Sequence, residues 1–370
     1  MNRVSLVRLY HWVIKMTEKV VVRKVEEIYE DLKDAIEMLG GFSVVDEDFI
    51  IIKPNLCDFR PSWEGSTTDP KIVEAFIKLI RENANPRIAI VESDHAVASA
   101  DEEFQRMGYK DLAESLGVEL VNLSKDKRYD VALDGYFFET LEVPETLLKA
   151  TKIVSIAKLK THVQQKITCN MKNLFGFLPR KSKAKYHIFM NEVLADLSGF
   201  YKPSLCIIDG IVGMEGFGPS DGDKKELGLI ICGKNPVSTD AVAAKIMGFN
   251  PNHIPNLKFA EKAKIGSIKD VSIDSGVNID SIERFKFVPL SSYLSYRFSF
   301  WISRIRSKVD KGLNGVSSFI SQMGVGFVVL SKGYLFIPDF GLLLRKDAYR
   351  YAKGLIMRML LLFKLKLLRV

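Results

Sequence analysis

The alternation of short apolar runs with longer helical stretches is the feature that most constrains the fold of this chain. Runs such as residues 49–53 and 87–91 have the length and the Ile and Val content of buried strands, whereas residues 70–80 repeat apolar side chains at helical spacing. Strands separated by helices predict a parallel or mostly parallel sheet covered by helices. We therefore expect an α/β fold, in which ligands meet the carboxyl ends of the strands.

The sequence also predicts where the individual elements lie. Helix starts are expected after the N-caps Asp69 and Asn235, each of which is followed by proline. The predicted strands are residues 4–8, 49–53, 87–91, 118–123, 152–159, 205–209 and 227–232. The predicted helices are residues 22–39, 70–80, 101–116 and 236–247.

A soft domain boundary is expected near residue 150. It divides the chain into an amino-terminal α/β lobe, 1–150, and a second α/β lobe, 151–285, each built on a mostly parallel sheet covered by helices. A basic, hydrophobic carboxyl-terminal extension follows at 286–370. No long linker separates the lobes, so we expect them to pack together with a ligand cleft between them.

Positive charge is concentrated in this extension. Residues 286–370 contain 15 Lys and Arg and three Asp, which leaves 38 basic and 42 acidic residues for positions 1–285. Bases interleaved with large aliphatic residues, as in 357–365, are typical of an amphipathic helix lying on an anionic membrane. Core packing or an oligomer contact is the alternative, and nucleic acid is an unlikely partner because no binding module is recognisable.

Cysteine usage indicates a reducing compartment. The four cysteines, Cys57, Cys169, Cys206 and Cys232, are at least 26 residues apart, so no C-x-x-C pair exists and no iron-sulfur cluster or structural zinc is expected. Charges at Arg8, His11 and Lys15 interrupt the apolar amino terminus before it reaches the length of a secretory signal. We expect a cytoplasmic protein, peripheral at the inner face of the membrane if the extension binds lipid.

Amines, an imidazole and an amide are predicted at strand ends. Lys53 and Asn55 follow one strand, and Lys158, Lys160 and His162 follow another. Lysines close together lower each other's pKa, and an adjacent imidazole exchanges protons near neutrality. This combination predicts a site for a small anionic molecule, with Lys53 and Lys160 holding negative charge and His162 acting as acid or base. Solvated surface charge is the alternative for each residue taken singly.

Two further segments carry candidate residues. Lys172 and Asn173 lie ten and eleven residues after His162, which favours a role in positioning the ligand, although such a pair alone is more often an ordinary loop. The glycine-rich segment 209–219 is predicted to be a loop whose Gly213, Gly216 and Gly218 let the backbone approach a ligand. A strand follows it instead of a helix, so it is not a dinucleotide fingerprint.

Three carboxylates complete the predicted site. Asp209 and Glu215 flank the glycines and are candidate acids or ligands for a divalent metal. Asp240 lies in the first turns of the helix after Pro236, where the helix dipole alone could account for it. We place it near the site as a third candidate metal ligand.

Together these motifs resemble the family known as domain of unknown function 362. The resemblance covers about residues 40–250 and rests on the segments 53–55, 158–162, 172–176, 209–219 and 240–241. Members often carry a ferredoxin-type domain, which implies electron transfer. This chain departs from that pattern because no cysteine follows Cys232.

A weaker similarity links the chain to nickel-pincer lactate racemases. It lies in the order of His95, His162, Lys172 and His187, with ten residues from His162 to Lys172. The resemblance implies that Lys172 holds a cofactor, that His162 or His187 binds metal or acts as base, and that Arg60 binds a carboxylate. Asn170 and Met171 stand where the racemases have two glycines.

The leading functional hypothesis is an enzyme that acts on a small anionic or carboxylate substrate. Its catalytic candidates are His162, Lys160 and Lys172. The candidate substrate-binding residues are Lys53, Asn55, Asn173, Gly213, Gly216 and Gly218, and the candidate metal ligands are His187, Asp209, Glu215 and Asp240. A nickel-pincer racemase-like enzyme is one alternative, and a non-catalytic ligand-binding or membrane-recruited scaffold is another. The substrate and the cofactor stay open.

Overall fold

The computed structural model describes residues 17–95, 98–179 and 183–292, and the backbone of three short strands at 4–7, 335–337 and 342–344. The chain divides into two units, residues 1–180 with 189–299 and residues 181–188 with 300–370. The first unit carries the main sheet and all but one of the predicted site residues. His187 belongs to the second unit.

The strands and helices are numbered here in chain order. The strands are β1 (Val4–Val7), β2 (Glu18–Lys24), β3 (Phe49–Pro54), β4 (Arg87–Glu92), β5 (Glu119–Asn122), β6 (Arg128–Leu133), β7 (Thr140–Pro144), β8 (Lys152–His162), β9 (Lys166–Thr168), β10 (Leu205–Glu215), β11 (Asp223–Gly233), β12 (Val271–Ser275), β13 (Leu335–Ile337) and β14 (Leu342–Leu344). The α-helices are α1 (Ile28–Met38), α2 (Pro70–Arg81), α3 (Ala100–Arg106), α4 (Tyr109–Leu116), α5 (Glu145–Lys149), α6 (Asn170–Asn173), α7 (Met190–Tyr201), α8 (Pro236–Ile246) and α9 (Pro255–Lys262).

One nine-stranded sheet forms the centre of the first unit. Its order is β12-β2-β11-β10-β8-β3-β4-β5, with β9 paired to β8. The run from β10 through β8, β3 and β4 to β5 is parallel, whereas β11 is antiparallel to both of its neighbours and β9 is antiparallel to β8. The α/β fold with a mostly parallel sheet is confirmed.

The sheet contains strands from both sides of residue 150. β8 lies between β3, from the first predicted lobe, and β10, from the second. The domain limits at 150 and 285 stay a prediction. What the topology establishes is that the carboxyl ends of β3, β8 and β10 lie side by side, because these three strands are parallel neighbours.

Apolar side chains of the strands and the covering helices form the core. Ile50, Ile52, Val154 and Ile156 from the central strands are fully buried and pack with Phe76 of α2. The predicted helix starts after Asp69 and Asn235 are confirmed, since each side chain accepts a backbone hydrogen bond from the first turn of its helix. These caps fix the direction in which α2 and α8 leave the sheet.

Several predicted elements have different limits in the structure. Residues 22–24 belong to β2 and not to a helix, because Val20, Val21 and Val22 are buried in a strand that pairs with β11. The predicted helix 101–116 is two helices, interrupted at Gly108 with its left-handed φ of 78°. The sequence analysis did not predict β6, β7, β9, β12 or α7.

The most consequential difference concerns the glycine-rich segment. Residues 210–215 continue β10 as a strand and are not a loop, because Gly213 and Met214 pair with Lys225 and Lys224 of β11. β8 likewise continues to His162. Candidate residues therefore lie within paired strands, where hydrogen bonds of the sheet hold their backbone in place.

The predicted amphipathic extension lies largely outside the described residues. Of its first residues, the carbonyl of Lys286 accepts a hydrogen bond from the Gly216 amide at 2.8 Å, and the amide of Leu290 donates to the Val163 carbonyl at 3.0 Å. β13 and β14 pair antiparallel in the second unit. Within the part of the chain that the structure describes, no helix has the length and apolar character needed to cross a membrane.

Candidate functional site

The carboxyl ends of β3 and β8 place three lysines in the interior. Lys53, Lys158 and Lys160 are each only 1% exposed. Buried ammonium groups require compensation by charge or by hydrogen bonds, because removal from water strongly disfavours the ion. Each of the three lysines has a different set of partners.

Lys53 forms a buried ion pair with Glu92 at the end of β4. Its Nζ lies 2.5 Å from Glu92 Oε2, 2.7 Å from the Pro54 carbonyl and 3.3 Å from Asn173 Oδ1. The Asn173 amide in turn donates to the Lys53 carbonyl at 2.8 Å and to Ser155 Oγ at 3.1 Å. Asn173 thus connects α6 with β3 through Lys53 and with β8 through Ser155.

Gly176 covers this pair. A Cβ atom at Gly176 would lie 2.6 Å from Lys53 Cε and 2.8 Å from Glu92 Oε1. Only a residue without a side chain can approach the ion pair so closely. The spacing of Asn173 and Gly176 is explained by their shared contact with Lys53.

Lys158 forms a second buried ion pair, with Asp209 on the neighbouring strand. Its Nζ lies 2.8 Å from Asp209 Oδ2 and 3.2 Å from the Ser62 carbonyl. The Asp69 amide also donates to Asp209 Oδ2, at 2.8 Å. The pair therefore holds the loop between β3 and α2 against the sheet.

Lys160 has no such carboxylate partner. Its Nζ donates to the Ser66 carbonyl at 2.7 Å and lies 3.1 Å from Cys57 Sγ, and it forms no ion pair with any residue that the structure describes. The Ser66 hydroxyl donates to Asp58 Oδ2 at 2.6 Å, and Asp58 is 3.5 Å from Arg60 Nε. Loop 55–69 thus supplies most of the surroundings of this amine.

Asn55 begins this loop. Its backbone amide donates to Thr68 Oγ1 at 2.9 Å, and the Thr68 amide donates back to the Asn55 carbonyl at 3.0 Å. The Asn55 side-chain Oδ1 is buried and has no hydrogen-bond partner among the described residues. The predicted contact of Asn55 with a ligand stays a prediction.

His162 lies at the turn between β8 and β9. Its Nδ1 accepts hydrogen bonds from the Gln164 amide at 3.2 Å and the Gln165 amide at 3.3 Å. A ring nitrogen that accepts from backbone N–H groups carries no proton, so the neutral ring is protonated at Nε2. The turn therefore selects one tautomer of the imidazole.

Lys172 lies on α6, a short helix that begins beside Asp240. The two Asp240 carboxylate oxygens accept from the Asn170 and Met171 amides at 2.8 and 2.9 Å. Burial raises the pKa of Asp240 to about 7, against the lowering effect of these hydrogen bonds. The Lys172 ammonium lies 4.0 Å from the centre of the Phe175 ring. Asp240 therefore orients the segment that carries Lys172 and Asn173.

Two of the three predicted glycines make close backbone contacts. The carbonyl of Gly213 would be 2.1 Å from a Cβ at Gly65, and a Cβ at Gly218 would lie 2.1 Å from the Thr161 carbonyl. Gly216 has a left-handed φ of 77°. These contacts pack loop 55–69 against β10 and the segment after β10 against β8, while a direct role of the glycines in substrate binding stays a prediction.

Each of the predicted metal ligands is hydrogen-bonded to its own partners. Asp209 and Asp240 have the partners given above, and Glu215 lies 3.2 Å from Lys225 Nζ and accepts from the Lys286 amide at 3.0 Å. Despite burial, these contacts lower the Glu215 pKa. His187 Nδ1 lies 3.1 Å from the Lys183 carbonyl. No group of three or more His, Cys, Asp or Glu residues suited to a metal occurs in the described ranges, and the metal-binding role stays a prediction.

Three residues of this region were not identified from the sequence. Cys57 and Ser66 contact Lys160, and Glu103 of α3 is hydrogen-bonded to His95 Nε2. Burial raises the Glu103 pKa to about 7, although His95 lowers it. The sequence did contain one sign that Cys57 differs from the buried cysteines. Cys57 lies shortly after Asn55 in a polar segment, whereas Cys206 and Cys232 lie in apolar runs. Glu103 gives no comparable signal.

Two surface depressions lie away from these residues. One is between α1 and α2, lined by side chains that include Ile36, Phe42 and Phe76. The other is beside Phe249 and Asn250, after α8. Neither depression is lined by a predicted site residue. The candidate site at the ends of β3, β8 and β10 is therefore described by its side-chain contacts and not by a surface depression.

Comparisons with known proteins identify relatives of the chain. The model of the family described as domain of unknown function (DUF362) matches residues 50–245. Thylakoid-associated protein sll1697 of Synechocystis sp. is 30% identical over 240 residues, which are 62% of this chain and 73% of that protein. The lactate racemase apoprotein of Thermoanaerobacterium thermosaccharolyticum has a TM-score of 0.42 and 10% identity over 63% of this chain, which spans 57% of the racemase chain.

Proposed function

Since this chain belongs to the family described as domain of unknown function DUF362, whose description assigns no reaction, we propose a function from the site itself. The protein is an enzyme that binds a small anionic molecule, such as a carboxylate, beside Lys160. The observation that carries this proposal is the buried Lys160 ammonium, which has no carboxylate partner among the described residues.

The two neighbouring lysines provide the internal comparison. Lys53 is paired with Glu92 and Lys158 with Asp209, so their charges are balanced within the protein. Lys160 is equally buried, but among the described residues its ammonium is held by a carbonyl oxygen and a sulfur atom and by no carboxylate. A buried cation without a counter-charge is unfavourable, and a bound anion would supply that charge.

His162 is the proposed hydrogen-bond donor of the site. It lies two residues after Lys160 on β8, and its Nδ1 accepts from two backbone amides. This arrangement leaves the proton on Nε2, which can donate a hydrogen bond to a substrate oxygen and stabilise negative charge that develops on it. Lys172 and Asn173 are proposed to position the ligand, because Asp240 fixes the segment that carries them.

Binding of simple anions tests the proposal. Malonate and inorganic phosphate are titrated into wild-type protein and the Lys160→Met variant by calorimetry at low ionic strength, where charge interactions are strongest. We expect at least one of the two to bind, with affinity reduced about tenfold or more by the substitution, a loss typical of one charge-assisted contact. The control is Lys224→Met, an exposed lysine of the same sheet paired with Glu226. Equal affinity in wild type and K160M, or no binding by wild type, would overturn the proposal.

A second property, peripheral binding to the cytoplasmic face of an anionic membrane, is proposed for the extension 286–370. Two observations favour membrane binding. The extension has 15 basic residues and only three acidic ones, and a relative of the chain has a name that describes it as thylakoid-associated. Bases near an anionic surface gain electrostatic attraction while aliphatic neighbours enter the interface.

Vesicle flotation with the full chain tests this property. Wild type should float with anionic vesicles and not with neutral ones. Replacing Arg358, Lys364 and Lys366 by Gln should reduce flotation. The control removes the same charge from exposed lysines elsewhere, Lys71, Lys110 and Lys258. Equal loss in both variants would show a general charge effect and contradict a specific role of the extension.

A further inference from the structure

Cys57 differs from the other three cysteines. Cys169, Cys206 and Cys232 are buried, whereas Cys57 is partly exposed. Burial raises the pKa of the Cys232 thiol to about 12 and shifts those of Cys169 and Cys206 upward as well, which keeps these three protonated and unreactive. Cys57 is therefore the one cysteine accessible to a reagent or substrate.

The surroundings of Cys57 are polar. Lys160 Nζ lies 3.1 Å from Sγ, the Ser66 hydroxyl 3.6 Å away and the Ser220 hydroxyl 4.0 Å away. The Lys160 ammonium places positive charge beside this sulfur, and cysteines that act as nucleophiles typically lie in partly exposed, electropositive surroundings. The same ammonium is 1% exposed and has no carboxylate partner in the described part of the chain. A buried positive charge without a balancing carboxylate therefore lies next to the sulfur.

We propose that Cys57 is the nucleophile of this site and forms a reversible covalent adduct with the carbonyl carbon of an anionic aldehyde or 2-oxo acid. This inference rests on the proposed function, because it assigns the substrate class of the same anion site. Before the attack Cys57 is the thiol and Lys160 is the ammonium, which is free to bind the carboxylate of the substrate. The two groups are 3.1 Å apart, so a substrate held by Lys160 lies beside the sulfur.

The chemical step is balanced without an oxidant. The sulfur lone pair forms the S–C bond, and the π pair of the carbonyl moves onto its oxygen. That oxygen takes the proton released by the Cys57 thiol, which gives a thiohemiacetal, or a thiohemiketal from a 2-oxo acid, while Lys160 stays an ammonium beside the substrate carboxylate. The reverse step returns the proton to the sulfur and releases the substrate.

Lys160 is the competing nucleophile. A neutral lysine amine can attack a carbonyl to give an imine with loss of water. The position of the amine favours the sulfur as nucleophile, because Nζ is 2.7 Å from the Ser66 carbonyl and donates to it, and Cys57 is the more exposed of the two residues. The two outcomes differ in the residue modified and in the product formed.

Glyoxylate labelled with ¹³C at the aldehyde carbon tests the proposal in the full-length protein. Wild type should give a new protein-bound ¹³C resonance in the thiohemiacetal region. The Cys57→Ser variant, whose folding is checked by thermal unfolding, should lack it. Treatment with borohydride followed by peptide mass spectrometry detects any imine. A reducible adduct on Lys160, or a resonance that persists in C57S, would overturn the assignment of Cys57.

Alkylation gives an independent readout. In folded wild type, iodoacetamide should modify Cys57 at least tenfold faster than Cys169, Cys206 or Cys232, and Lys160→Met should slow it severalfold. K224M is again the control. Unchanged alkylation in K160M would contradict an effect of the Lys160 ammonium on the Cys57 sulfur. If wild type binds malonate by calorimetry but gives no glyoxylate adduct, this inference fails while the anion site stands; if malonate and phosphate do not bind, the anion site itself fails.

Discussion

The Nζ atom of Lys53 lies 2.5 Å from Oε2 of Glu92, and the two side chains are 1% and 4% exposed. The pair joins the ends of two parallel strands, and Asn173 binds the same amine from α6. Both charges are removed from water, so each depends on the other for compensation. The centre of the proposed site is thus held by an internal ion pair, and Lys160, which lies on β8 on the other side of β3 from Glu92, is the lysine proposed to bind a ligand.

Lys53→Met is expected to destabilise the protein strongly. It leaves the Glu92 carboxylate buried without a counter-charge, which costs about 3–5 kcal/mol of unfolding free energy. The measurement is urea unfolding, and the double variant K53M/E92L should recover part of the loss. The control is Lys33→Met, which breaks a solvent-exposed pair with Glu82 and should therefore cost far less stability. A loss in K53M no larger than in K33M would refute the buried-pair interpretation.

Lys158 and Lys160 should respond differently to the same substitution. K158M leaves Asp209 buried and unpaired, with an expected loss of about 3–5 kcal/mol. K160M removes a buried ammonium that has no carboxylate partner among the described residues, so we expect stability within about 1.5 kcal/mol of wild type, the size of its lost hydrogen bonds. Urea unfolding compares the two. Similar losses would mean that Lys160 has a carboxylate partner after all.

The Gly176→Ala substitution adds only a methyl group but should destabilise the folded protein. The added methyl group would lie 2.6 Å from Lys53 Cε, and such overpacking typically costs about 1–3 kcal/mol. Gly276→Ala is the matched control, since its Cβ would meet Arg23 Cδ at 3.6 Å, an ordinary contact, and should change stability by less than about 0.5 kcal/mol. Thermal and urea unfolding measure both, and a neutral G176A would show that the ion pair is not so closely covered.

The buried Glu103 carboxyl should make stability pH-dependent. Its pKa is about 7 in the folded protein, raised by burial, and near its usual value of about 4.3 in the unfolded chain. Between these two pKa values the folded state retains a proton on Glu103 that the unfolded state has lost. The contribution of Glu103 to the unfolding free energy is therefore greatest at low pH. It decreases by on the order of 1 kcal/mol per pH unit as the pH rises towards 7. The unfolding free energy of wild type minus that of Glu103→Gln should therefore decrease from pH 5 to pH 8. A constant or increasing difference would contradict the raised pKa.

Local patterns sufficed to predict much of the fold. The apolar runs at 49–53 and 87–91 are the buried strands β3 and β4, and Asp69 and Asn235 are the N-caps that proline positions indicated. Residues 18–24 were not predicted as a strand because their apolar run is only three valines between charged residues, which fits the start of a helix equally well, and only pairing with β11 decides for a strand. The glycines of 210–215 suggested a loop, and here too only pairing with β11 reveals the strand.

The sequence was sufficient to predict which residues belong to the candidate site, but not which residues form hydrogen bonds or ion pairs with them. The lysines of β3 and β8 were identified from their positions at strand ends. Their partners come from distant sequence: Asp240 caps a helix 70 residues before it, and Asn173 binds Lys53 across 120 residues. Such contacts are set by strand order, which no local pattern specifies. For this reason the sequence could not show that, within the described residues, Lys158 is paired with a carboxylate and Lys160 is not.

The most direct test of the central claim is to locate an anion in the site. Crystals soaked in sodium bromide are measured at the bromine absorption edge, so that anomalous scattering places each bound ion independently of the protein phases. We predict a bromide within hydrogen-bonding distance of Lys160 Nζ in wild type and none there in K160M crystals. Bromide bound elsewhere on the surface, with no peak beside Lys160, would contradict the claim that this buried ammonium binds an anion.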